Sequence, residues 1–393
     1  MFEQPRRILS FDGGGIRGIL TAAMLEAVED KLKAINPDKK LREYFDIIAG
    51  TSSGSIIALA VAQGMPAKDI KNLFKFDGER IFPDVDSILI HIIKRFVHQD
   101  FDWNIFNICN ILDKEKENKD IDQIMSQPFY DDKGLEEVLR EKFSDQLFGE
   151  LNNLVIVPSY DVYNRQATVF KNRDDCYKHL PIWEVCKASC SAPVVFPAHI
   201  IDNDQFIYEL KKHAKTAKSS DKSSNLQIPD EGLPFIDGGL VANNPVLCAI
   251  AECRKNFKEL PSLIVSFGAG TGLNRISVRQ AKGWGAFNWA NLIRNVPLMD
   301  VFTDGSSDAT DYITQNLVEQ DTGYVRFQPL FQQDIKQDIM TFSADGDNII
   351  ALEKMAADYI DTEEYKEKLE TIVKALIPEN ILSLIGAVLS ANV

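Results

Sequence analysis

Hydrophobic and polar positions at the start of the chain alternate between two patterns. Residues 7–11 form a short apolar run typical of a buried strand, and residues 19–35 repeat apolar side chains at helical spacing. A second apolar run covers residues 44–49, and a second helical pattern covers residues 55–63 and ends at Gly64. This β-α-β-α order predicts an α/β fold with a parallel sheet and helices on both of its faces.

The rest of the chain carries weaker signals of the same kind. Apolar runs predict four further strands, and amphipathic periodicity predicts two further helices. The predicted strands cover residues 154–157, 167–170, 234–236 and 263–267, and the predicted helices cover residues 134–143 and 244–257. Two polar stretches, residues 113–122 and 211–225, are expected to be flexible loops. No internal repeat or break in composition divides the sequence into two domains.

Composition and charge narrow the classes of function. The chain is 45% hydrophobic, which is enough for a large core, and its formal net charge is −15. Because an acidic surface repels polyanions, nucleic acid is not an expected partner. No apolar run reaches the roughly 20 residues that span a bilayer, and residues 1–7 lack a signal core, so we expect a cytoplasmic protein. The six cysteines have no C-x-x-C spacing, which indicates free thiols rather than a zinc site or disulfides.

The strongest chemical signal is the motif G-T-S-S-G at residues 50–54, which falls where a predicted strand ends and a predicted helix begins. This is the setting of a nucleophile elbow, in which a serine hydroxyl is exposed on a sharp turn. Such a turn leaves no room for neighbouring side chains, and Gly50 and Gly54 meet that demand. Without the predicted strand before it and the predicted helix after it, the motif would indicate only a tight turn. Ser52 is therefore the candidate nucleophile.

A serine hydroxyl needs a base that takes its proton, and histidine is the usual base. The α/β-hydrolase order of serine, acid and histidine cannot be completed here, because no histidine follows His213. His199 is the least unsuited of the five histidines. The other candidate base is Asp237, in F-I-D-G-G at residues 235–239, where two glycines let another segment approach the carboxylate. D-G-G alone also fits an ordinary turn, but burial would raise the pKa of this carboxyl towards that of a useful base.

A glycine-rich turn, D-G-G-G-I-R-G at residues 12–18, separates the first predicted strand from the first predicted helix. Backbone N–H groups at the start of a helix stabilise negative charge, so this turn could serve as an oxyanion hole. Its glycines also fit the dinucleotide fingerprint G-x-G-x-x-G. That fingerprint requires an acidic residue at the end of the second strand, whereas Asp46 opens this strand and Ser52 follows its end. A dinucleotide-dependent oxidoreductase is therefore the weaker alternative.

Taken in this order, the three motifs resemble those of the patatin-like phospholipases. The likeness continues through A-S-C-S-A-P at residues 188–193 and V-S-F-G at residues 265–268, and it extends to about residue 360. The resemblance implies a three-layer patatin-type fold, related to that of the α/β-hydrolases, with a mostly parallel central sheet. It also implies one catalytic domain over residues 1–360 and a C-terminal helical extension over residues 361–393.

The resemblance further implies a phospholipase A-type reaction, the hydrolysis of fatty acyl esters in membrane phospholipids or galactolipids, with no metal or other cofactor. Carried over by position, Ser52 is the nucleophile and Asp237 is its base. The implied oxyanion loop comprises Gly13, Gly14, Gly15 and Arg17, and the supporting glycines are Gly18, Gly50, Gly54, Gly238 and Gly239. The alternative is a lipid-binding protein that keeps a patatin fold without turnover, and the intact pair of Ser52 and Asp237 argues against it.

Membrane contact and regulation are further expectations. The aromatic stretch at residues 284–289 and the apolar segment at residues 381–393 are candidates for peripheral contact with lipid, although core packing explains them equally well. Five lysines within residues 211–222 are candidates for contact with anionic headgroups or a phosphorylated regulator. Some bacterial patatin-like enzymes that resemble this chain act as nucleotide-activated antiviral effectors. A small nucleotide activator and a homo-oligomer are accordingly hypotheses for this protein.

Overall fold

The structure of this protein, a computed structural model, describes residues 6–83, 128–216, 226–271, 275–289, 296–318, 323–330 and 340–378. The predicted loop at residues 113–122 and the apolar segment at residues 381–393 lie outside these ranges. The strands of the described chain are β1 (Arg7–Phe11), β2 (Ile47–Gly50), β3 (Leu154–Asp161), β4 (Gln166–Lys171), β5 (His199–Ile201), β6 (Leu233–Asp237), β7 (Leu263–Phe267) and β8 (Gly323–Phe327).

Within the described residues these strands form one eight-stranded sheet in the order β5-β6-β3-β2-β1-β7-β8, and β4 pairs with β3 outside this path. The five neighbouring strands β3, β2, β1, β7 and β8 run parallel to one another. The pairs β3-β4, β3-β6 and β5-β6 are antiparallel. The sheet is therefore mixed and mostly parallel, which confirms the expected fold class.

Side chains on the parallel strands alternate between two hydrophobic cores. Leu9 and Ile48 belong to the larger core, whereas their chain neighbours Ile8 and Ile47 belong to the smaller one. This alternation follows from the two-residue period of a strand, which sends successive side chains to opposite faces. Strands buried on both faces read as continuous apolar runs, which is why the sequence reveals them.

Helices cover both faces of the sheet. The α-helices of the described chain are α1 (Gly18–Ile35), α2 (Ser53–Gln63), α3 (Ala67–Phe76), α4 (Gly78–Ile81), α5 (Lys133–Phe143), α6 (Ile182–Cys190), α7 (Asp204–Thr216), α8 (Gly239–Ala242), α9 (Val246–Phe257), α10 (Val278–Gly283), α11 (Ala286–Trp289), α12 (Pro297–Leu317), α13 (Gly346–Ile360) and α14 (Glu363–Leu376). Short 3₁₀ turns cover Gly15–Arg17, Leu41–Tyr44 and Phe148–Glu150. Helices α1, α2 and α3 contribute to the larger core and α9 to the smaller one, so the protein has three layers.

The prediction of a loop at residues 211–225 is wrong for the first six residues, which belong to α7. Asn203 Oδ1 accepts the N–H of Phe206 at the start of this helix. Phe206 and Leu210, one turn apart, are both buried and hold the helix against the core. The lysine-rich composition of the segment concealed this apolar face, because the exposed side of the helix carries the lysines.

The C-terminal helix α14 packs on the same core. Tyr365 is buried, its hydroxyl donates to Met24 O at 2.6 Å, and its ring centroid lies 4.9 Å from that of Phe327. Helix α14 also contacts α1, α13 and β8. The proposed division between residues 360 and 361 stays a prediction.

Candidate active site

Ser52 lies at the sharp turn between β2 and α2. Its backbone adopts φ 51° and ψ −128°, a left-handed conformation that is unfavourable for a residue with a side chain. A Cβ at Gly50 would lie 2.1 Å from Gly54 O, and a Cβ at Gly54 would lie 2.4 Å from Phe11 O. The chain can make this turn only with glycine at both positions. The structure therefore gives the G-T-S-S-G motif the geometry of a nucleophile elbow.

Asp237 reaches Ser52 because β2 and β6 share one edge of β3. Strand β2 pairs with β3 as far as Ile156, and β6 pairs with β3 from Ser159 onward, while β4 occupies the opposite edge. Since β2 is parallel to β3 and β6 is antiparallel, the carboxyl ends of β2 and β6 point towards each other. Ser52 follows one end and Asp237 forms the other.

The carboxylate of Asp237 has two hydrogen bonds. Ser52 Oγ donates to Asp237 Oδ2 at 2.7 Å, and the N–H of Gly239 donates to Oδ1 at 2.6 Å. A Cβ at Gly238 would lie 2.2 Å from Pro158 O, so the chain beyond Asp237 passes directly over β3. The structure thus brings together the two residues that the sequence singled out.

Burial alters the chemistry of Asp237, whose side chain is 4% exposed. Burial raises the pKa of this carboxyl to about 6, against the opposing effects of the hydrogen bonds from Ser52 and from the N–H of Gly239. The group is still ionised at neutral pH. It is also a stronger proton acceptor than an exposed aspartate, because basicity rises with pKa.

The glycine-rich turn lies against Ser52. The N–H of Gly13 donates to Asn243 O at 3.1 Å, and the N–H of Gly14 donates to Ser53 Oγ at 3.0 Å. Gly15 has φ 57° and lines a small pocket beside Ser52. Its N–H group meets no acceptor within the described part of the chain. Of the predicted N–H donors, Gly13 and Gly14 are thus bonded to protein atoms here, and Gly15 is not.

Arg17 and Gly18 fix the far side of this turn. The buried side chain of Arg17 donates to Gly14 O through Nε at 3.3 Å and to Gly270 O through Nη1 at 3.4 Å. A Cβ at Gly18 would lie 2.6 Å from the ring of Phe74, which explains the glycine at this position. Arg17 therefore steadies the turn through backbone carbonyls.

A buried ion pair that the sequence analysis missed anchors the start of the turn. Arg326 Nη2 lies 2.7 Å from Asp12 Oδ2 and Nη1 lies 3.2 Å from Oδ1. Ser307 Oγ also donates to Asp12 Oδ2, at 2.8 Å. These bonds join the turn to β8 and α12. An arginine in the middle of an apolar strand, Y-V-R-F, is the one sequence signal that could have pointed to a buried partner.

Ser189 is a second residue that the sequence analysis left without a role. Its buried Oγ accepts the N–H of Ser52 at 2.9 Å and donates to Pro158 O at 2.7 Å. Its carbonyl accepts the N–H of Gly238 at 3.1 Å. Ser189 therefore contacts both chain segments that carry the candidate site. The A-S-C-S-A-P motif was noticed as part of the resemblance, but the sequence gives no indication of these contacts.

Neither alternative reading of the motifs matches the geometry. The ring of His199 packs edge-on against Trp183, and its Nε2 lies 3.8 Å from Glu184 Oε1, while Asp237 occupies the position beside the hydroxyl of Ser52. Asp46 pairs with Arg6 at the opposite end of β2 from the glycine-rich turn. It is therefore not placed to bind a ribose on that turn.

The pocket beside Ser52 is apolar and narrow. Its volume is about 20 Å³, roughly the space of one water molecule. Burial keeps the pKa of the Cys190 thiol, which lines the pocket, well above its ordinary value. The largest side chains on its wall are Ile56, Phe74, Ile81, Phe82, Leu135, Phe196 and Phe342.

A comparison with protein families decides the relationship. A family model described as patatin-like phospholipase matches residues 9–250, more than half of the chain. This protein belongs to the patatin-like phospholipase family. The match includes all three motifs, from the glycine-rich turn to Asp237 and Gly239.

Curated proteins that are similar to this chain come from plants and bacteria. Patatin-like protein 2 of Oryza sativa subsp. indica is 28% identical over 345 residues, which cover 82% of this chain and 76% of that protein. A cGAMP-activated phospholipase of Escherichia coli (strain TW11681) is 26% identical over 265 residues, which cover 65% of this chain and 58% of that protein.

Two solved structures align with most of the chain at low identity. VipD from Legionella pneumophila aligns with 93% of this chain and 67% of its own at 15% identity, with a TM-score of 0.41. Human GIVD cytosolic phospholipase A2 aligns with 94% of this chain and 63% of its own at 10% identity, with a TM-score of 0.42.

Over the residues that the structure describes, no group of three or more His, Cys, Asp or Glu side chains is placed to hold a metal ion. Metal independence stays a prediction. In the same residues, none of the helices has the length and apolar character needed to cross a bilayer.

Proposed function

We propose that this patatin-like protein is a serine lipid acyl hydrolase of the phospholipase A type, acting on membrane glycerolipids. The observation that carries the proposal is the 2.7 Å hydrogen bond from Ser52 Oγ to the buried carboxylate of Asp237. A hydroxyl on a strained turn, bonded directly to a base of raised pKa, is the arrangement that nucleophilic catalysis requires. Membership of the family supports the same activity.

The proposed reaction has two steps. Ser52 Oγ attacks the acyl carbonyl carbon while its proton passes to Asp237 Oδ2, and the lysolipid alcohol then leaves with that proton. An ester between the fatty acid and Ser52 remains. Water attacks this ester, Asp237 takes a proton from the water, and Ser52 regains a proton as the fatty acid departs. The same carboxylate serves as base and acid in both halves of the reaction.

Negative charge on the carbonyl oxygen needs donors close to Ser52. The N–H of Gly15 is the proposed primary donor, because Gly15 lines the pocket and its N–H has no protein acceptor among the described residues. The N–H of Gly14 would join it by exchanging its bond to Ser53 Oγ for one to the oxyanion. The amino-terminal end of α2 adds its dipole at the same place. Gly13 and Arg17 would hold the turn rather than touch the substrate.

The apolar pocket is the proposed site for the acyl chain. Its wall is mostly aliphatic and aromatic, so the pocket favours a hydrocarbon chain over a polar headgroup. At about 20 Å³ it is far smaller than a fatty acyl chain. Binding of substrate must therefore displace part of this wall.

An exposed apolar face beside the site is the proposed region of peripheral membrane contact. Leu298, Val301 and Phe302 are 41%, 48% and 54% exposed on successive turns of α12. Leu240, 37% exposed, extends this face onto α8, which follows Asp237 directly and packs on α12. Apolar side chains of this kind partition into the headgroup boundary of a bilayer. We accordingly propose a cytoplasmic enzyme that touches membranes during catalysis.

Release of fatty acid from phospholipid and galactolipid vesicles tests the activity. The wild-type protein should release fatty acid, and Ser52→Ala and Asp237→Asn should each reduce the rate by at least ~10³-fold. Ser277→Ala and Asp230→Asn, at exposed positions outside the wall of the pocket, are matched controls that should keep the wild-type rate. Vesicle binding without any release of fatty acid would favour the lipid-binding alternative.

We also propose that a small nucleotide activates the enzyme. This proposal is supported by the similarity to the cGAMP-activated phospholipase of Escherichia coli. Adding cyclic GMP-AMP or other cyclic nucleotides should raise the rate of fatty acid release. Identical rates with and without every nucleotide tested would remove this part of the proposal and leave the hydrolase intact.

A further inference from the structure

A second, larger cavity lies at the opposite end of the sheet from Ser52. It has a volume of about 280 Å³. Arg6 directly precedes β1, and Asn152 and Asn153 directly precede β3, so the cavity is at the amino-terminal edge of the parallel strands. The residues that matter most in its wall are Arg6, Arg42, Asn152, Asn153, Arg173 and Phe257. We call this feature the arginine cleft.

The three arginines of the cleft use only part of their hydrogen-bonding capacity. Arg42 donates through Nη1 to Ala62 O at 3.1 Å and to Gln63 O at 2.9 Å. Arg173 donates through Nη2 to Asn152 O at 3.2 Å. The other N–H groups of these two side chains meet no acceptor within the described residues. A guanidinium group has five N–H donors, so most of this capacity is unused.

Arg6 is held in the wall of the cleft by Asp46 and Phe257. Its Nη1 donates to Asp46 Oδ1 at 3.2 Å, and its guanidinium stacks on the ring of Phe257 with Cζ 4.1 Å from the centroid. Its Nε is buried and has no acceptor among the residues that the structure describes.

Two carboxylates, those of Glu43 and Asp46, are also part of the wall of the cleft, and both accept hydrogen bonds from the protein. Asp46 accepts from Arg6 and, through Oδ2, from the N–H of Arg7 at 2.9 Å. Glu43 Oε2 accepts the N–H of Lys40 at 2.6 Å. Three guanidinium groups against two engaged carboxylates leave a local excess of positive charge. The excess is notable in a chain whose net charge is −15, because the protein as a whole repels anions.

We propose that the arginine cleft binds a small phosphate-bearing anion. The planar fork of a guanidinium group matches two oxygens of a phosphate, and several arginines converging on one cavity provide both charge and orientation. The volume is at the lower end of the range for small-molecule sites, which favours a phosphate or a small phosphate ester over a large ligand. A free anion and the phosphate of a lipid headgroup offer the same chemistry.

The cleft is separate from Ser52 but joined to it by one helix. Arg42 bonds the carbonyls at the carboxyl end of α2, and Ser52 precedes the amino end of the same helix. Binding in the cleft does not need the hydroxyl of Ser52 or the carboxylate of Asp237. A test of binding therefore gives a result that is independent of the proposed hydrolase activity.

Isothermal titration of the full chain with inorganic pyrophosphate tests the proposal. Wild type and Ser52→Ala should bind with the same dissociation constant, below about 1 mM at low ionic strength. Arg173→Gln should weaken binding about tenfold or more, because it removes charge-assisted hydrogen bonds to the anion. Arg173 is exposed, so this variant should fold, and Arg42→Lys provides a second probe of the cleft. Arg279→Gln, which removes an exposed arginine on α10, is the matched control and should bind as the wild type does.

Vesicle sedimentation identifies the source of the phosphate. If the ligand is a headgroup, the protein should sediment with phosphatidylcholine vesicles that contain phosphatidic acid, and Arg173→Gln should reduce this binding while Arg279→Gln should not. If the ligand is a free anion, pyrophosphate should bind and the added phosphatidic acid should make no difference. Absence of binding in both experiments, or binding that Arg173→Gln and Arg42→Lys leave unchanged, would overturn the proposal.

Discussion

The hydroxyl of Ser189 accepts the backbone N–H of Ser52 across 2.9 Å and is itself fixed by donating to Pro158 O. The strained turn at Ser52, with φ 51°, is thereby tied to β3 through a buried side chain. Backbone strain persists only where surrounding contacts hold it, so Ser189 is a positioning residue for the nucleophile.

Replacing Ser189 by alanine should lower kcat about tenfold or more with little change in KM. The variant removes the acceptor for the N–H of Ser52, so the hydroxyl loses its fixed orientation while the acyl pocket is unaltered. Steady-state kinetics on phospholipid vesicles separates the two parameters. Ser191→Ala is the control, because the Oγ of Ser191 is equally buried but donates only to Lys187 O. Equal effects of the two substitutions would show that loss of a buried hydroxyl, and not positioning, explains the result.

The pH dependence of kcat/KM should have an acidic limb with a midpoint near pH 6. Asp237 acts as base only when ionised, and burial raises its pKa to about 6. Below that pH the rate should fall about tenfold per unit as the carboxylate takes up a proton. The measurement is a rate profile from about pH 4.5 to 9, with circular dichroism at each pH to establish that the protein remains folded. A midpoint near that of an exposed aspartate would contradict the assigned environment.

Asp237→Asn should stabilise the fold at alkaline pH while it abolishes activity. Because the folded-state pKa of Asp237 lies above the ordinary value of 3.8, the stabilising contribution of its protonation is complete below pH 3.8 and is lost as the pH rises through about 6. The neutral amide avoids the burial of a charge, so the free energy of unfolding at pH 8 should rise by roughly 2 kcal/mol. Urea unfolding at pH 8 and pH 4.5 measures the difference. Asp69→Asn, at an exposed position in α3, should change little at either pH, and an equal gain there would remove the explanation.

Gly50→Ala should destabilise the protein by about 3 kcal/mol or more and remove activity. The new Cβ would lie 2.1 Å from Gly54 O and 2.6 Å from Ala58 Cβ, so β2 or α2 has to shift. Gly305→Ala is the opposite case, because nothing lies within 4 Å of its Cβ in the middle of α12. It should stabilise the protein by up to ~1 kcal/mol through helix propensity. Thermal unfolding of both variants checks the pair, and an active, stable Gly50→Ala would contradict the strained elbow.

The parts of the fold that the sequence predicts correctly depend on local patterns. Strands β1 and β7 have the predicted bounds because they are buried on both faces and read as unbroken apolar runs. The short strand β5 and the strand β8 were missed. The first has three residues, and in the second Arg326 interrupts the apolar pattern. The partner that makes this arginine acceptable, Asp12, is 314 positions away and cannot be read from local spacing.

The individual motifs of the candidate site could be predicted from the sequence, but their positions relative to one another in the fold could not. Ser52 can be recognised in the sequence from Gly50 and Gly54, because the turn leaves no room for a side chain at those two positions. Its proximity to Asp237 depends on β6 pairing antiparallel to β3 beyond the end of β2, a register that no periodicity encodes. The contacts of Ser189 are equally non-local, because they span 137 positions to Ser52.

Labelling with a fluorophosphonate tests the pairing of Ser52 and Asp237 most directly, because the probe reacts only with an activated serine. Peptide mapping of the labelled wild-type protein should find one adduct, on Ser52. Folded Asp237→Asn should label at least ~10²-fold more slowly, and Ser277→Ala should label at the wild-type rate. An adduct on another residue, or undiminished labelling of Ser52 in Asp237→Asn, would contradict the account.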